Sequence, residues 1–202
     1  MSRYLHWATS ATAILCFTAL APIARADQAT DVKAAAKAFV VAARQPDAAR
    51  MKALVTSSSD PIIDSLVGMI RSAQKMNEAA EAKFQEKITP GLFSAKDVEA
   101  LDDAEVKIDG DTADVSLKGD NGKRKPIVLK MENGTWKVDL LPNAQDAGRV
   151  TKSFTVMTAA ASETAGEISD GKYKTAAEAK TAYFKKVVEG LERAGLTTRE
   201  HK

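Results

Sequence analysis

Three acidic residues, Glu163, Glu167 and Asp170, recur at helical-turn spacing near the C-terminal end, an arrangement that could hold a hard cation between carboxylates. Calcium sites, however, draw on loop carbonyls and on more ligands than these, so a solvated helix face accounts for the spacing with fewer demands. Asp60 and Asp64 form a second acidic pair, but they stand at a predicted helix start, where capping and the helix dipole explain them. Glu78 and Glu81 lie on one side of a predicted long helix and are the carboxylates best placed to act as a general base. Tyr173 falls in a predicted turn, as packing or as a contact residue, and Tyr183 on an apolar stripe, as core. Other chemistries fail on inventory. The histidines are His6 and His201 and the single cysteine is Cys16. His6 and Cys16 both lie in an N-terminal leader, so Cys nucleophiles, Ser-His-Asp triads and His- or Cys-based zinc sites have no residues to build on. No cofactor is expected, and no catalytic or metal-ligating residue is assigned.

The leader occupies residues 1–26. It has Arg3 in a short basic start, an apolar stretch over about 11–21, then Pro22 and the small-residue site Ala24-Arg25-Ala26. The apolar run is shorter than the ~20 residues of a spanning helix, so a secretory signal cleaved near Ala26 is expected, with no stable membrane span in the mature chain. Leu15, just before Cys16, does not suit lipoprotein processing, and Cys16 reads as filler in the apolar stretch. The leader carries Arg3 and Arg25 and no acid, so its removal lowers the 29 basic residues to 27 and matches the 27 acidic ones. A neutral mature chain argues against a broad nucleic-acid surface. Its length suits one domain, exported to the periplasm or secreted, and lacking any disulfide.

The central stretch, residues 104–141, alternates apolar and polar side chains in four runs broken by Gly110-Asp111, Asp120-Asn121-Gly122 and Asn133-Gly134. That is the signature of an antiparallel meander. Register follows from keeping apolar side chains on one face, because a one-residue slip turns a strand over. The first turn then sets Ile108 against Ala113, Val106 against Val115 and Ala104 against Leu117. A three-residue middle loop sets Val115 against Ile127. A type I′ turn at Asn133-Gly134 sets Met131 against Trp136, Leu129 against Val138 and Ile127 against Leu140. In this register Glu105, Asp109, Asp114, Glu132 and Asp139 all fall on the polar face, and the inner face is apolar. Asn133-Gly134-Thr135 also matches a glycosylation acceptor, relevant only in a eukaryotic host.

Helices flank this sheet. Val32, Ala35, Ala36, Phe39, Val40 and Ala43 have helical spacing, with Thr30 as N-cap and Pro46 as stop. Asp47 caps a short helix through Met51, and the Thr56-Ser57-Ser58-Ser59 run ends it. Asp60-Pro61 opens a long helix carrying Ile63, Leu66, Val67, Ile70, Ala73, Asn77, Ala80 and Phe84 on one side and reaching Lys87. Gly68 on that helix serves packing rather than a ligand. Pro90-Gly91 breaks the chain, and Ser94 with Asp97 opens a short helix. After Pro142, Asn143 caps a helix presenting Val150, Phe154, Met157, Ala161 and Ala165. Asp170-Gly171 turns the chain, and Thr175 with Glu178 boxes the start of a last helix that carries Ala179, Tyr183, Val187 and Leu191.

Helices followed by a meander containing Gly110-Asp111-Thr112-Ala113-Asp114-Val115 and Leu129-Lys130-Met131-Glu132-Asn133-Gly134-Thr135-Trp136-Lys137-Val138-Asp139 resemble the nuclear-transport-factor-two-like (cystatin-like) superfamily. More narrowly, the likeness is to its exported, lumazine-binding-like members. The resemblance covers roughly residues 30–141 and implies a curved sheet wrapped around a long helix as a cone, open to a small apolar ligand or filled. The family's enzymes use Asp, His or Tyr inside the cone, and none of those is available here. The expected fold is thus α+β. N-terminal helices pack on a four-stranded antiparallel meander, cone-like, over residues 27–142, and a C-terminal helical pair over 143–202 packs on the same domain. The expected function is an exported, non-catalytic module that binds a small apolar ligand or an exported protein partner. Phe39, Leu66, Ile70, Leu129, Met131 and Trp136 are the residues expected to line the ligand pocket. The alternatives are an enzyme with a carboxylate base borne on the long helix, and a structural, envelope-associated protein whose C-terminal helices pair with another chain.

Overall fold

The computed structural model describes residues 21–118, 124–142 and 146–196. Among the described residues the architecture is α+β, with six α-helices and one four-stranded antiparallel sheet in the order β1-β2-β3-β4. Helix α1 spans Ala21–Arg44, α2 Ala48–Leu54, α3 Ile63–Phe84 and α4 Ala95–Ala100. The strands are β1 Glu105–Asp109, β2 Thr112–Lys118, β3 Arg124–Glu132 and β4 Thr135–Val138. Helices α5 (Ala147–Ser169) and α6 (Ala176–Arg193) follow.

The sheet has the register that its pleat demands. Val106 pairs with Val115, Ile108 with Ala113, Val115 with Ile127, Leu129 with Val138 and Met131 with Trp136. Lys130 stands opposite Lys137. Asn133 and Gly134 both have positive φ, 51° and 76°, as a type I′ turn requires. At the first turn only Gly110 is positive, at 57°, the pattern of a type II′ turn with glycine leading. The middle turn, Asp120-Asn121-Gly122, lies outside the described residues. The last strand is shorter than expected. It stops at Val138 because the chain then turns toward the serine loop: the Leu140 amide donates to Ser59 Oγ and the Leu141 amide to Asp139 Oδ1.

That loop is held as tightly as a regular element. The Thr56 amide donates to the Val138 carbonyl at 3.0 Å, Val55 bridges Val138 in parallel, and the Ser57 amide and hydroxyl both donate to the Glu132 carboxylate. Thr56 and Ser59 are fully buried, their hydroxyls hydrogen-bonded to each other at 2.9 Å, which satisfies polar groups that would be costly to bury alone.

Helix α1 lies against the inner face of the sheet. Val32, Ala36, Phe39 and Val40 share one buried cluster with Val115, Leu117, Leu129, Trp136 and Val138, and Leu66, Val67 and Ile70 of α3 close it. Burying a side chain such as Phe39 contributes about 1.5–3 kcal/mol. The helix starts earlier than Thr30, which is therefore inside it rather than capping it. Its early residues are good helix formers, and Pro22 falls in the first turn, where its missing N–H had no intrahelical partner to lose.

Two further boundaries differ. Asp60 makes no side-chain cap: it begins a 3₁₀ turn, Asp60–Ile62, with Pro61 in the first positions, and α3 proper follows. Asp64 instead pairs with Lys52 at 2.8 Å. Helix α3 ends at Phe84 rather than Lys87, because Gln85 takes a left-handed conformation (φ 60°) and the chain folds back. Asp47, by contrast, caps α2, and Ser94 with Asp97 forms a complete capping box on α4.

The long helix makes its largest contact with α5. Gly68 faces Thr158 and the Ser162 hydroxyl donates to Ser72, so the two helices run parallel with small side chains at the seam. A Cβ on Gly68 would lie 4.0 Å from Thr158 Oγ1, which makes its surroundings helix packing. Asp146 caps α5, its Oδ1 accepting the Gly148 amide at 2.8 Å, while Asn143 lies outside the described residues. Lys83 of α3 donates to the Ile168 carbonyl at the C-terminal end of α5, where a cation offsets the helix dipole. Helix α6 returns antiparallel to α5 through the positive-φ turn at Gly171, so the C-terminal residues form a helical pair. At its start the Thr175 hydroxyl accepts the Glu178 amide, but the Glu178 carboxylate reaches the Lys174 amide rather than completing the box on Thr175. A second buried cluster, with Met76, Ala80, Ile168, Tyr173, Ala179 and Tyr183, joins α3, α5 and α6.

The pair is tightly packed at Gly190, where an added methyl would lie 2.5 Å from Val156 Cγ1. Gly190→Ala is expected to lose about 1–3 kcal/mol by overpacking, despite alanine's better helix propensity. Gly190→Ala combined with Val156→Ala should recover most of that loss, as read by urea denaturation.

Candidate functional site

A cleft of about 560 Å³ opens beside α3, between the end of α1, the 85–93 loop and Tyr183 of α6. Met69, Ile70, Ala73, Leu92 and Phe93 supply apolar lining, and Arg44, Gln74, Glu78, Glu81, Lys87 and Thr89 supply polar groups. It lies at a seam. Ala43, Ile70 and Phe93 belong to or pack on the sheet-side cluster, and Tyr183 belongs to the helical cluster. Burial pushes the Tyr183 hydroxyl above its ordinary pKa.

The outer wall is positioned by one side chain. Asn77 Oδ1 accepts the backbone amides of Ile88 (3.0 Å) and Thr89 (3.1 Å), and its Nδ2 donates to the Thr89 carbonyl (2.9 Å). A polar amide on the inward stripe of α3 is thereby satisfied, and the loop after Gln85 is fixed in place. Ile88 is buried beneath the loop. Phe93 meets Phe39 edge to face at a centroid distance of 6.3 Å, which ties the far end of the wall to α1. Lys87 reaches Glu81 at 3.5 Å between exposed side chains.

Of the residues expected to line a ligand pocket, Ile70 borders this cleft. Phe39, Leu66, Leu129 and Trp136 are 7% exposed or less and, with Ile70, belong to the packed cluster between helices and sheet; Met131 is half-buried against it. Phe39 stands directly behind Phe93. Glu78 and Glu81 both reach the cleft wall, as exposed residues. The acidic strand residues Glu105, Asp109 and Asp114 are exposed, and Glu132 and Asp139 bond the serine loop; none of them borders the cleft. Arg44, Gln74, Tyr183 and the whole 85–93 wall were not anticipated. The available signal was Asn77, a polar residue on an otherwise apolar stripe.

The acidic group on α5 has a different role from the one its spacing suggested. Glu163 and Asp170 are exposed, as on a solvated face, while Glu167 is half-buried and engaged by side chains from the turn and from α6. Glu167 accepts hydrogen bonds from Lys172, Lys186 and the Tyr173 hydroxyl, and Lys186 also pairs with Glu163. Among the described residues no cluster of three or more His, Cys, Asp or Glu could hold a metal ion. Burial alone would raise the Glu167 carboxyl, but hydrogen bonds from Lys172, Tyr173 and Lys186 outweigh it and hold the pKa at about 2 against an ordinary 4.5. Burial, then the Glu167 hydrogen bond and charge, push Tyr173 up to about 12. The Lys186 ammonium is lowered by burial but raised more by Glu163 and Glu167, with a net upward shift. This cluster ties α5 to α6 and to the turn between them through Glu167 and Lys186.

Two outcomes follow. Asn77→Ala leaves two loop amides without an acceptor and should cost about 1–3 kcal/mol, measured by urea denaturation, with increased proteolysis inside the 85–93 loop. The depressed pKa of Glu167 means its contribution to stability is complete above about 4.5 and is lost as pH falls toward about 2. Stability measured across that window should fall in the parent protein, and fall less steeply in Glu167→Gln.

In comparisons with protein-family models, curated proteins and solved structures, nothing matches the chain.

Proposed function

We propose that this protein is an exported, non-catalytic binding module whose ligand, small and largely apolar, lies in the cleft beside α3. The observation that carries the reading is the cleft itself. Its volume of about 560 Å³ is within the roughly 300–1,000 Å³ usual for small-molecule sites, and its apolar lining faces a few polar groups. Leu92, at the lip, is 45% exposed, an apolar surface that a ligand would cover. Arg44 and Glu78 make no side-chain ion pair among the described residues, so both remain available to a polar end of the ligand. The ligand chemistry that fits is an amphiphile with an apolar body.

The non-catalytic part rests on exposure. Glu78 and Glu81 stand on the open wall of the cleft, in contact with water that a proton-abstracting site would exclude. Export rests on the leader pattern at residues 1–26, and among the described residues no helix is long and apolar enough to cross a membrane. The likeness to the cone-shaped superfamily draws support from the order of helices before a four-stranded meander. On this reading the space between helices and sheet is filled by packed side chains, and the ligand site has moved to the edge of α3.

Ala73 lines the cleft and is half-buried, so Ala73→Phe fills it from a helix surface that tolerates the change. Titration with the apolar anion 1-anilinonaphthalene-8-sulfonate should show saturable binding to the parent, weakened at least tenfold (about 1.4 kcal/mol) in Ala73→Phe with the melting temperature unchanged. Equal binding by the two proteins, or none by the parent, would remove the cleft from consideration.

A further inference from the structure

A second apolar stripe on α6 is uncovered. Phe184 is 48% exposed and Val188 52%, one turn apart, and half-buried Leu191 continues the line. The stripe flanks the buried face made by Ala179, Tyr183 and Val187: the Phe184 ring is tilted against Tyr183 at 5.2 Å, Leu191 packs its inner side on the same cluster, and the apolar surface of the helix extends past its covered face to Val188. Lys185 and Glu192 are two helical turns apart and therefore project from the same flank of the stripe, on either side of Val188.

That placement is self-complementary about one axis only. A two-fold perpendicular to α6 through Val188 sets two copies of the helix antiparallel, and residues on one flank then meet the same flank of the other copy. Val188 packs on itself, Phe184 packs against the partner's Leu191, and Lys185 comes level with the partner's Glu192, twice by symmetry. A parallel pairing would put Lys180 beside the partner's Lys185 instead. Glu192 has no side-chain partner within its own chain among the described residues, and Lys185 reaches Glu189 only at 3.8 Å with both side chains more than half exposed.

We propose that the exposed face of α6 is the interface of a homodimer of this protein, antiparallel about Val188. One helix face offers less than the roughly 800 Å² per partner of a standard interface, so the dimer is weak and its population follows concentration. The proposal is independent of the ligand cleft. Sedimentation equilibrium over a concentration series should show a weight-average mass rising toward twice the monomer value. Val188→Glu should hold the protein monomeric. Lys185→Glu should weaken association roughly tenfold, and Lys185→Glu with Glu192→Lys should restore it, since the pair is merely exchanged. All three substituted positions are on the surface, and circular dichroism should show each variant folded. A monomer at every concentration, a dimer indifferent to Val188→Glu, or a double exchange that fails to restore association overturns the proposal.

Discussion

The parallel contact between α3 and α5 is the constraint on which the remaining architecture depends. Gly68, Ser72, Thr158 and Ser162 keep the seam narrow, and a narrow seam lets two long helices approach over most of their length. Parallel neighbours cannot be joined by a short loop, because the chain must return to the end from which the first helix started. Here α4 and the entire sheet form that return. The meander is therefore both the inner wall of the first core and the crossover that delivers α5 to α3.

One helix serving two cores has a consequence for the surface. The first half of α3, through Leu66 and Ile70, faces α1 and the sheet, while its second half, through Met76 and Ala80, faces α5 and α6. Close packing within each core leaves the boundary between them imperfectly filled, and the cleft lies there. The 85–93 loop covers that boundary from outside. Its position depends on the Asn77 amide more than on its own turn chemistry, since backbone donors that would otherwise face an apolar helix find their acceptor there.

Several acidic residues of this chain are tied to structure. Glu132 and Asp139 hold the serine loop against the end of the sheet, Asp102 receives Lys37 of α1, and Glu167 gathers Lys172, Lys186 and Tyr173 at the base of the helical pair. Each does so with a partner distant in sequence or across a turn. Spacing along the chain shows the acids but not the bases that meet them, which is why Glu163 and Glu167 read as a solvated face although Lys186 of α6 pairs with both.

Strand register is legible in the sequence because the pleat alternates side chains with a period of two and the Asn133-Gly134 and Gly110 turns admit few conformations, so local covalent geometry decides the pairing. The helical stripes were legible for the same reason, including the pairing of the last two helices. Boundaries set by distant partners were not: β4 gives way after Val138 because Ser59 captures the Leu140 amide, and Phe84 ends α3 because Asn77 draws the chain back. The seam that makes the cleft was equally hidden, since Arg44, Ile70, Phe93 and Tyr183 are brought together only by packing. From its residues alone the chain settled its local periodicities and the turns at Gly110 and Asn133-Gly134. Tertiary structure alone decided which charges meet, which apolar faces are covered and where space is left, because those depend on contacts between segments that no spacing rule connects.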